Sequence, residues 1–431
     1  MTSPLSPNTQ VILLLTAPLL SGRGEPSSDL LSPGEYNRLA RALREKQRQP
    51  ADLIGPDAAE VVGLCSPAFG QARLEALLGR GFLLGQAVDQ WNARAIWVVS
   101  RADAAYPRRL KARLKEDAPA VLYGCGDMGL LESGGLAVVG SRHVDDGLLE
   151  YTDGIGCLAA AAHLTLVSGA ARGVDRAAMQ GALQAGGIAV GVMADSLGGA
   201  ALLRNNREAL MERRLALVSP YDPAAGFNVG HAMQRNKLIY ALADAALVVT
   251  ADFEKGGTWA GAVEQLQRLN LVPVFVRGGV NVGKGNAALL KLGGHPWPEP
   301  KDSAGLGEVI AGAVRSAVYE TGQQETLLLA VQEKSATPSY EVRGARTSVS
   351  ASAVSASEPL GSAAEQLFGA VRAIAAQVLQ EPRSEVEFAE CLGISRPQAK
   401  AWLERLIKEG VADRLSKPLR YQIVTASGRL L

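Results

Sequence analysis

Two short apolar runs constrain what the centre of this chain can fold into. Leu136 to Val139 stops at Gly140, Ser141 and Arg142. Leu164 to Val167 stops at Ser168, Gly169, Ala170, Ala171, Arg172 and Gly173. An amphipathic segment separates them, a second helical pattern follows, and Ile188 to Val192 supplies a third run. Short apolar runs that alternate with helical patterns describe strands joined by crossover helices, an α/β doubly wound sheet. Ligands in such sheets bind beyond the carboxyl ends of the strands. Both strand ends carry Gly, Ser and Arg. Glycine lets backbone approach a ligand closely, hydroxyls and free amides donate hydrogen bonds, and an Arg fork grips phosphate. The pattern reads as a phosphate site, most simply for a nucleic-acid backbone.

The order of strand, loop and helix holds well beyond this stretch. Ala95 to Val99, Leu215 to Val218, Ala246 to Val249 and Val272 to Val276 read as further strands. Asn205 to Arg214, Met233 to Ala243 and Thr258 to Leu269 read as helices. The α/β core is therefore assigned to 95–322. Upstream, residues 1 to 10 look loose, and Val11 to Leu20 reads as a short buried helix. Ser32-Pro33-Gly34-Glu35 has the form of a capping box with Pro at the first helical position. Asp57 to Val62 and Gln71 to Leu78 read as short helices. Residues 1–94 are thus a small helical N-terminal region, either a domain or a packing layer on the sheet. Periodicity fails over 323–362, where Ser, Ala, Thr and Val mark a flexible linker.

The last segment, 363–431, reads as a winged helix-turn-helix domain. Capping boxes at Ser362 to Glu365, Ser384 to Glu387 and Ser395 to Gln398 would start helices near 363, 385 and 396. Ala399, Trp402, Leu403 and Leu406 form a buried stripe on the last helix, with Gln398, Ala401 and Arg405 facing outward. Val411 to Leu415 and Leu419 to Val424 read as wing strands around Lys417-Pro418. This segment holds ten Lys or Arg against eight Asp or Glu, an excess of two, so its sequence favours neither duplex DNA nor a protein partner.

The whole chain has 431 residues and a formal net charge of +1, so any basic surface is local. Cys65, Cys125, Cys157 and Cys391 are scattered without metal-ligand spacing, which fits a reduced, cytoplasmic protein. The apolar run Val11 to Leu15 is too short to span a bilayer, so no membrane segment is expected. His143, His163, His231 and His295 have neither zinc spacing nor a nucleophile beside them. No metal site and no catalytic residue is expected. The dinucleotide fingerprint is missing after both strands, which argues against a nicotinamide cofactor, and no cofactor is assigned.

Three clusters remain as candidate contacts. Arg172 and Gly173 precede a helix, where dipole and free amides attract anions, although a tight turn with a surface Arg would look the same. Arg235, Asn236 and Lys237 precede Leu238, Ile239 and Leu242 and are expected near a helix start, projecting away from the apolar set. Gly256, Gly257 and Thr258, after Lys255, suggest another phosphate-binding turn, with Glu264 as a remote candidate for acid–base chemistry. Phe227 is the best-placed aromatic for stacking on a base, or else a buried core residue.

Together, Val139-Gly140-Ser141-Arg142, the run from Ser168 to Asp175, and Phe227 followed by Arg235-Asn236-Lys237-Leu238-Ile239 resemble the DNA-processing protein A family (DprA/Smf). Tyr106-Pro107 and Pro119 to Gly124 resemble that family's lead-in to the sheet. The likeness spans roughly 95–280. It implies an extended Rossmann-like domain that binds single-stranded DNA as a homodimer, without a catalytic centre, and often carries a winged helix. It implies RecA as a partner during transformation. Lys237 stands where the family has Arg, Met179 where it has His, and Lys255-Gly256-Gly257-Thr258 departs from its Ser-Gly-Ser pattern. Divergent relatives are similar to antitoxin-like members of anti-phage systems, whose partner is a phosphoribosyltransferase-like toxin. The alternative within the wider superfamily is a nucleotide sensor or a phosphoribohydrolase, to which Gly256, Gly257, Thr258 and Glu264 bear a loose likeness.

Overall fold

The structure is a computed structural model. It describes residues 4–19, 29–279, 283–316, 372, 375, 378–392, 396–409, 411–415 and 420–423. The chain divides into two compact units, Met1–Thr337 and Pro338–Leu431.

A nine-stranded sheet runs through the first unit. Its strands are β1 (Trp97–Ser100), β2 (Val121–Gly126), β3 (Leu136–Gly140), β4 (Leu166–Ser168), β5 (Ala189–Val192), β6 (Leu215–Ser219), β7 (Ala245–Thr250), β8 (Val274–Val276) and β9 (His295–Pro296). Their spatial order is β1-β2-β6-β5-β4-β3-β7-β8-β9. Pairs from β6 through β9 are parallel, while β1–β2 and β2–β6 are antiparallel. The chain steps one way from β3 to β6, then returns to the other flank of β3 as β7. Strand order reverses between β3 and β7, and the crevice outside that point is where such a sheet takes its ligand.

Helices cover both faces. The first unit holds α1 (Pro7–Thr16), α2 (Pro33–Glu45), α3 (Ala58–Phe69), α4 (Gln71–Leu78), α5 (Gly81–Asn92), α6 (Arg108–Leu114), α7 (Asp146–Ala161), α8 (Val174–Gln184), α9 (Leu197–Ala200), α10 (Arg204–Met211), α11 (Val229–Leu242), α12 (Gly256–Glu264) and α13 (Lys284–Lys291). Strand periodicity assigns the layers. Leu136 and Val138 of β3 pack with Ile155 and Ala159 of α7 and with Val174 and Ala178 of α8. Ala137 and Val139 point the other way, into a core with Leu238, Ile239 and Leu242 of α11.

The N-terminal helices share the first of these cores. Val11 to Leu15 of α1 are buried on every side, in one cluster with Tyr123 of β2 and Leu136 of β3. The start of the chain is less loose than its composition suggested, because Ser6 caps α1 and is tied to the sheet. Ser6 and Thr9 each donate a 2.6 Å hydrogen bond to Asp103, which also accepts the Ser100 amide at 2.7 Å. The capping box at Ser32 forms with both reciprocal bonds. At the far end of α1, Arg80 donates to the carbonyls of Leu14 and Ala17, groups that a helix end leaves without partners, and shares the Leu13 carbonyl with the Ala17 amide.

In the second unit, α14 (Glu385–Leu392) and α15 (Arg396–Lys408) precede an antiparallel pair, β10 (Ala412–Leu415) and β11 (Arg420–Ile423). Ser384 and Glu387 form the expected capping box. Ala399, Leu403 and Leu406 are buried with Phe388 and Tyr421, and Trp402 packs against them. Arg405 is paired with Glu409 one turn on. The linker at 323–362, the capping box at Ser362 and the residues Ser395, Lys417 and Pro418 lie outside the described residues. So do the side chains of Gln398 and Ala401.

Candidate nucleic-acid interface

A cleft of about 520 Å³ opens at the switch point, between the ends of β3 and β7 and the helices α11 and α12. It gathers much of what the motifs predict: Gly140, Ser141, Arg142, Phe227, Arg235, Asn236, Gly256, Gly257 and Thr258 all line it. Gly173 instead lines a shallower depression beside α7 and α8, which it shares with Arg142 and Arg176. Gly173 brings the β3 and β4 loops together. Its φ is +77°, and a Cβ there would stand 2.5 Å from the Ser141 carbonyl oxygen. Arg172 is exposed on the loop before α8 and lines neither hollow.

The cleft has an apolar mouth over a polar floor. Phe227, Val229 and Met233 are exposed at the mouth, Phe227 by 56%. The Arg142 guanidinium sits 5.1 Å from the centre of the Phe227 ring, a cation–π contact that leaves other ring surface open. Phe227 is therefore a surface residue and not part of the core.

Arg235 forms the floor, and its environment corrects the sequence reading. Asn228 caps α11 by accepting the His231 amide, so the helix begins at Val229, four residues earlier than expected. Arg235 lies in its middle and not near its start. It shares the buried stripe with Leu238, Ile239 and Leu242, and only 4% of its surface is exposed. Nε and Nη1 have no hydrogen-bond partner. Asp175 lies near it, also buried, and accepts the Ala171 amide at 3.4 Å. Burial pushes the Asp175 carboxyl up and the Arg235 guanidinium down, each towards its neutral form, against their mutual attraction. The two do not complete one another. Lys237, two residues further round the helix, is half-buried and does not line the cleft.

Several motif residues turn out to build the floor instead of facing a ligand. The Ser168 hydroxyl, fully buried, donates to the Val138 carbonyl at 2.7 Å, so it is not presented to a phosphate. Gly169 makes room for Arg235: a Cβ would overlap Nη1 and come within 2.5 Å of an Asp175 oxygen. The Thr258 hydroxyl donates to the Gly140 carbonyl at 2.8 Å, and the Ser141 hydroxyl to Asp252 at 3.2 Å. Asn236 donates to the Gly257 carbonyl at 2.9 Å, clipping α11 to the first turn of α12. What α12 offers the cleft is its backbone, since no side chain caps its start. Glu264 is paired with Arg268. Among the described residues, no group of three His, Cys, Asp or Glu side chains could hold a metal ion. Asp175 escaped the sequence reading as a floor residue; its place two positions after Gly173, at a helix start, was the available signal.

A doubly wound, mostly parallel sheet with a cleft at its switch point defines an α/β protein of the Rossmann-like class. Residues 97–302 match the family model of the DNA recombination-mediator protein A. Over those residues the chain carries a domain similar to the DprA/Smf family. It is 32% identical over 237 residues to the protein Smf of Escherichia coli, a match covering 52% of this chain and 61% of Smf. It is 25% identical over 249 residues to the DNA processing protein DprA of Streptococcus pneumoniae, covering 57% of this chain and 85% of that protein. The X-ray structure of Streptococcus pneumoniae DprA aligns with a TM-score of 0.49 and 20% identity, over 64% of this chain and 97% of that one. A Helicobacter pylori DNA processing protein A, described as binding single-stranded DNA, aligns at 0.40 and 23% identity, over 51% and 96%. Among the described residues no helix is long and apolar enough to cross a membrane.

Proposed function

We propose that the switch-point cleft binds single-stranded DNA and that the protein acts as a cytoplasmic, non-enzymatic module in DNA processing and recombination. The observation that carries this reading is Arg142 at the cleft mouth, stacked on the exposed Phe227, directly above a floor with unpartnered donors. A guanidinium beside an open aromatic face suits a strand in which phosphate and unpaired base lie next to each other. The match to the DNA recombination-mediator protein A model supports the setting, and we propose RecA as partner and a homodimer as the working form. The anti-phage setting with a toxin partner draws no support from the cleft. The hydrolase alternative is weakened by Glu264, whose carboxylate is paired with Arg268 and does not line the cleft. Arg172, exposed next to the depression beside α7 and α8, extends the cationic path outside the cleft. Arg142→Glu should weaken binding to a fluorescent oligothymidine at least about tenfold. It should also lower the slope of log affinity against log salt by about 0.7 for each phosphate that the variant no longer neutralises. Unchanged affinity and slope, measured by anisotropy at two salt concentrations, would remove the cleft mouth from the DNA site.

We also propose that the tail is a winged helix-turn-helix, a reading supported by α14, α15 and the β10–β11 pair in that order. Expressed alone, 363–431 should unfold in one cooperative thermal transition. A fragment without such a transition would refute the assignment.

A further inference from the structure

We propose that the floor of the cleft recognises the unesterified phosphate of a 5′-nucleotide, a phosphomonoester, carried at a strand end or on a free nucleotide. This rests on the nucleic-acid reading above and narrows it to the chemistry of the floor. Donors converge there from two walls. From α11 comes Arg235, only 4% exposed, its Nε and Nη1 both without a partner. Opposite it stands the start of α12, whose first amides no side chain caps. Asn236, the residue after Arg235, holds the Gly257 carbonyl at 2.9 Å and keeps those two walls in register. A buried guanidinium left with open donors is costly, and a bound anion would complete it.

Geometry selects the kind of phosphate. Donors on opposing walls match oxygens on different sides of one phosphorus. A phosphomonoester offers three unesterified oxygens and one exit for its sugar. An internal phosphodiester offers two, with chain leaving on both sides. To reach Arg235 behind the mouth formed by Phe227, Val229 and Met233, a diester would need to bring both flanking sugars into the cleft. About 520 Å³ suits one small ligand better than a doubled-back strand. Charge works in the same direction, since a monoester carries nearly two negative charges at neutral pH and a diester one. Asp175 opposes either anion, and the helix start and two arginines stand against it.

The test compares, for the full chain, a short oligothymidine bearing a 5′-phosphate, the same strand with a 5′-hydroxyl, and a circular single strand as competitor. Thymidine 5′-monophosphate is the second competitor. The phosphorylated strand should bind about tenfold more tightly than the hydroxyl strand, as expected for charge-assisted hydrogen bonds. Arg235→Met should abolish that preference, and so should Gly169→Ala, which displaces the guanidinium. Displacement of the phosphorylated strand by the mononucleotide identifies free nucleotides as a second source, and its failure to displace identifies strand ends. Equal affinity for the two linear strands, with no competition by the mononucleotide, overturns the inference. If the circular strand still competes in that case, the single-strand reading stands. If phosphate-dependent binding persists while circular and hydroxyl strands fail to bind, the strand reading falls and this inference survives.

Discussion

Arg80 and Arg235 are both drawn into the first unit, but only Arg80 is given partners there. Arg80 reaches from the end of α4 to the last turn of α1 and hydrogen-bonds the carbonyls of Leu14 and Ala17, which the helix does not satisfy itself, and that of Leu13, which also accepts the Ala17 amide. Arg109 and Arg113 do the same for the end of α11, at the carbonyls of Ala241 and Ala243. These arginines hold the framework. Arg235 lies deeper than any of them, yet two of its nitrogens have no hydrogen-bond partner. The framework arginines each hold carbonyls, although Arg109 also keeps an unpartnered Nε, whereas Arg235 makes none of those bonds. On the reading proposed above, a ligand would complete the structure at Arg235.

Replacing each arginine by Met should therefore move stability in opposite directions. Arg80→Met strands the Leu14 and Ala17 carbonyls at the end of α1 and should cost about 2 kcal/mol. Arg235→Met, made in an Asp175→Asn background so that no buried carboxylate is left without its cation, removes a buried charge without full partners and should stabilise by about 1–2 kcal/mol. Urea unfolding of the two variants, each against its own parent, reads both effects. Reduced stability in Arg235→Met against that parent would break the comparison, because it would show that the guanidinium is a structural group like Arg80.

The phase of α11 shows how much of this was legible in sequence. Arg235 stands three and four residues before Leu238 and Ile239, on the buried stripe of a 3.6-residue period, while Lys237 falls off it. The spacing alone thus contained the burial of Arg235. It was obscured by a start placed at Met233, because Val229-Gly230 reads as loop while Asn228 is the true cap. Local signals were read correctly where they are self-contained: the capping boxes at Ser32 and Ser384, α4 at Gln71–Leu78, and strand β3. The inward hydroxyls of Ser168 and Thr258 were not legible. Their acceptors, the carbonyls of Val138 and Gly140, lie 30 and 118 residues away and meet them only once the sheet is assembled. β9, two residues long, has too little pattern to read.

A smaller effect separates the same two regions by pH. Burial alone would push the Asp103 carboxyl up, but the Ser100 amide and the hydroxyls of Ser6, Thr9 and Ser100 outweigh it and hold the carboxyl below its ordinary value. At Asp175 burial prevails over the attraction of Arg235 and the carboxyl is pushed up. A depressed folded value means that the Asp103 bonds stabilise fully above the unfolded value of about 3.9 and are lost as pH falls through the lower folded one. A raised value has the opposite sign: the Asp175 contribution is present below the unfolded value and is lost as pH rises through the higher folded one. Asp103→Asn should therefore lower the thermal midpoint at pH 7, with the gap to wild type narrowing as the pH is taken down from 5 to 3. Across the same range the midpoint gap of Asp175→Asn should change in the other direction, as a floor carboxylate beside Arg235 and Arg142 becomes neutral. Parallel pH profiles for the two variants would show that the framework and the cleft floor treat a buried carboxylate alike, and would remove the electrostatic part of the distinction between them.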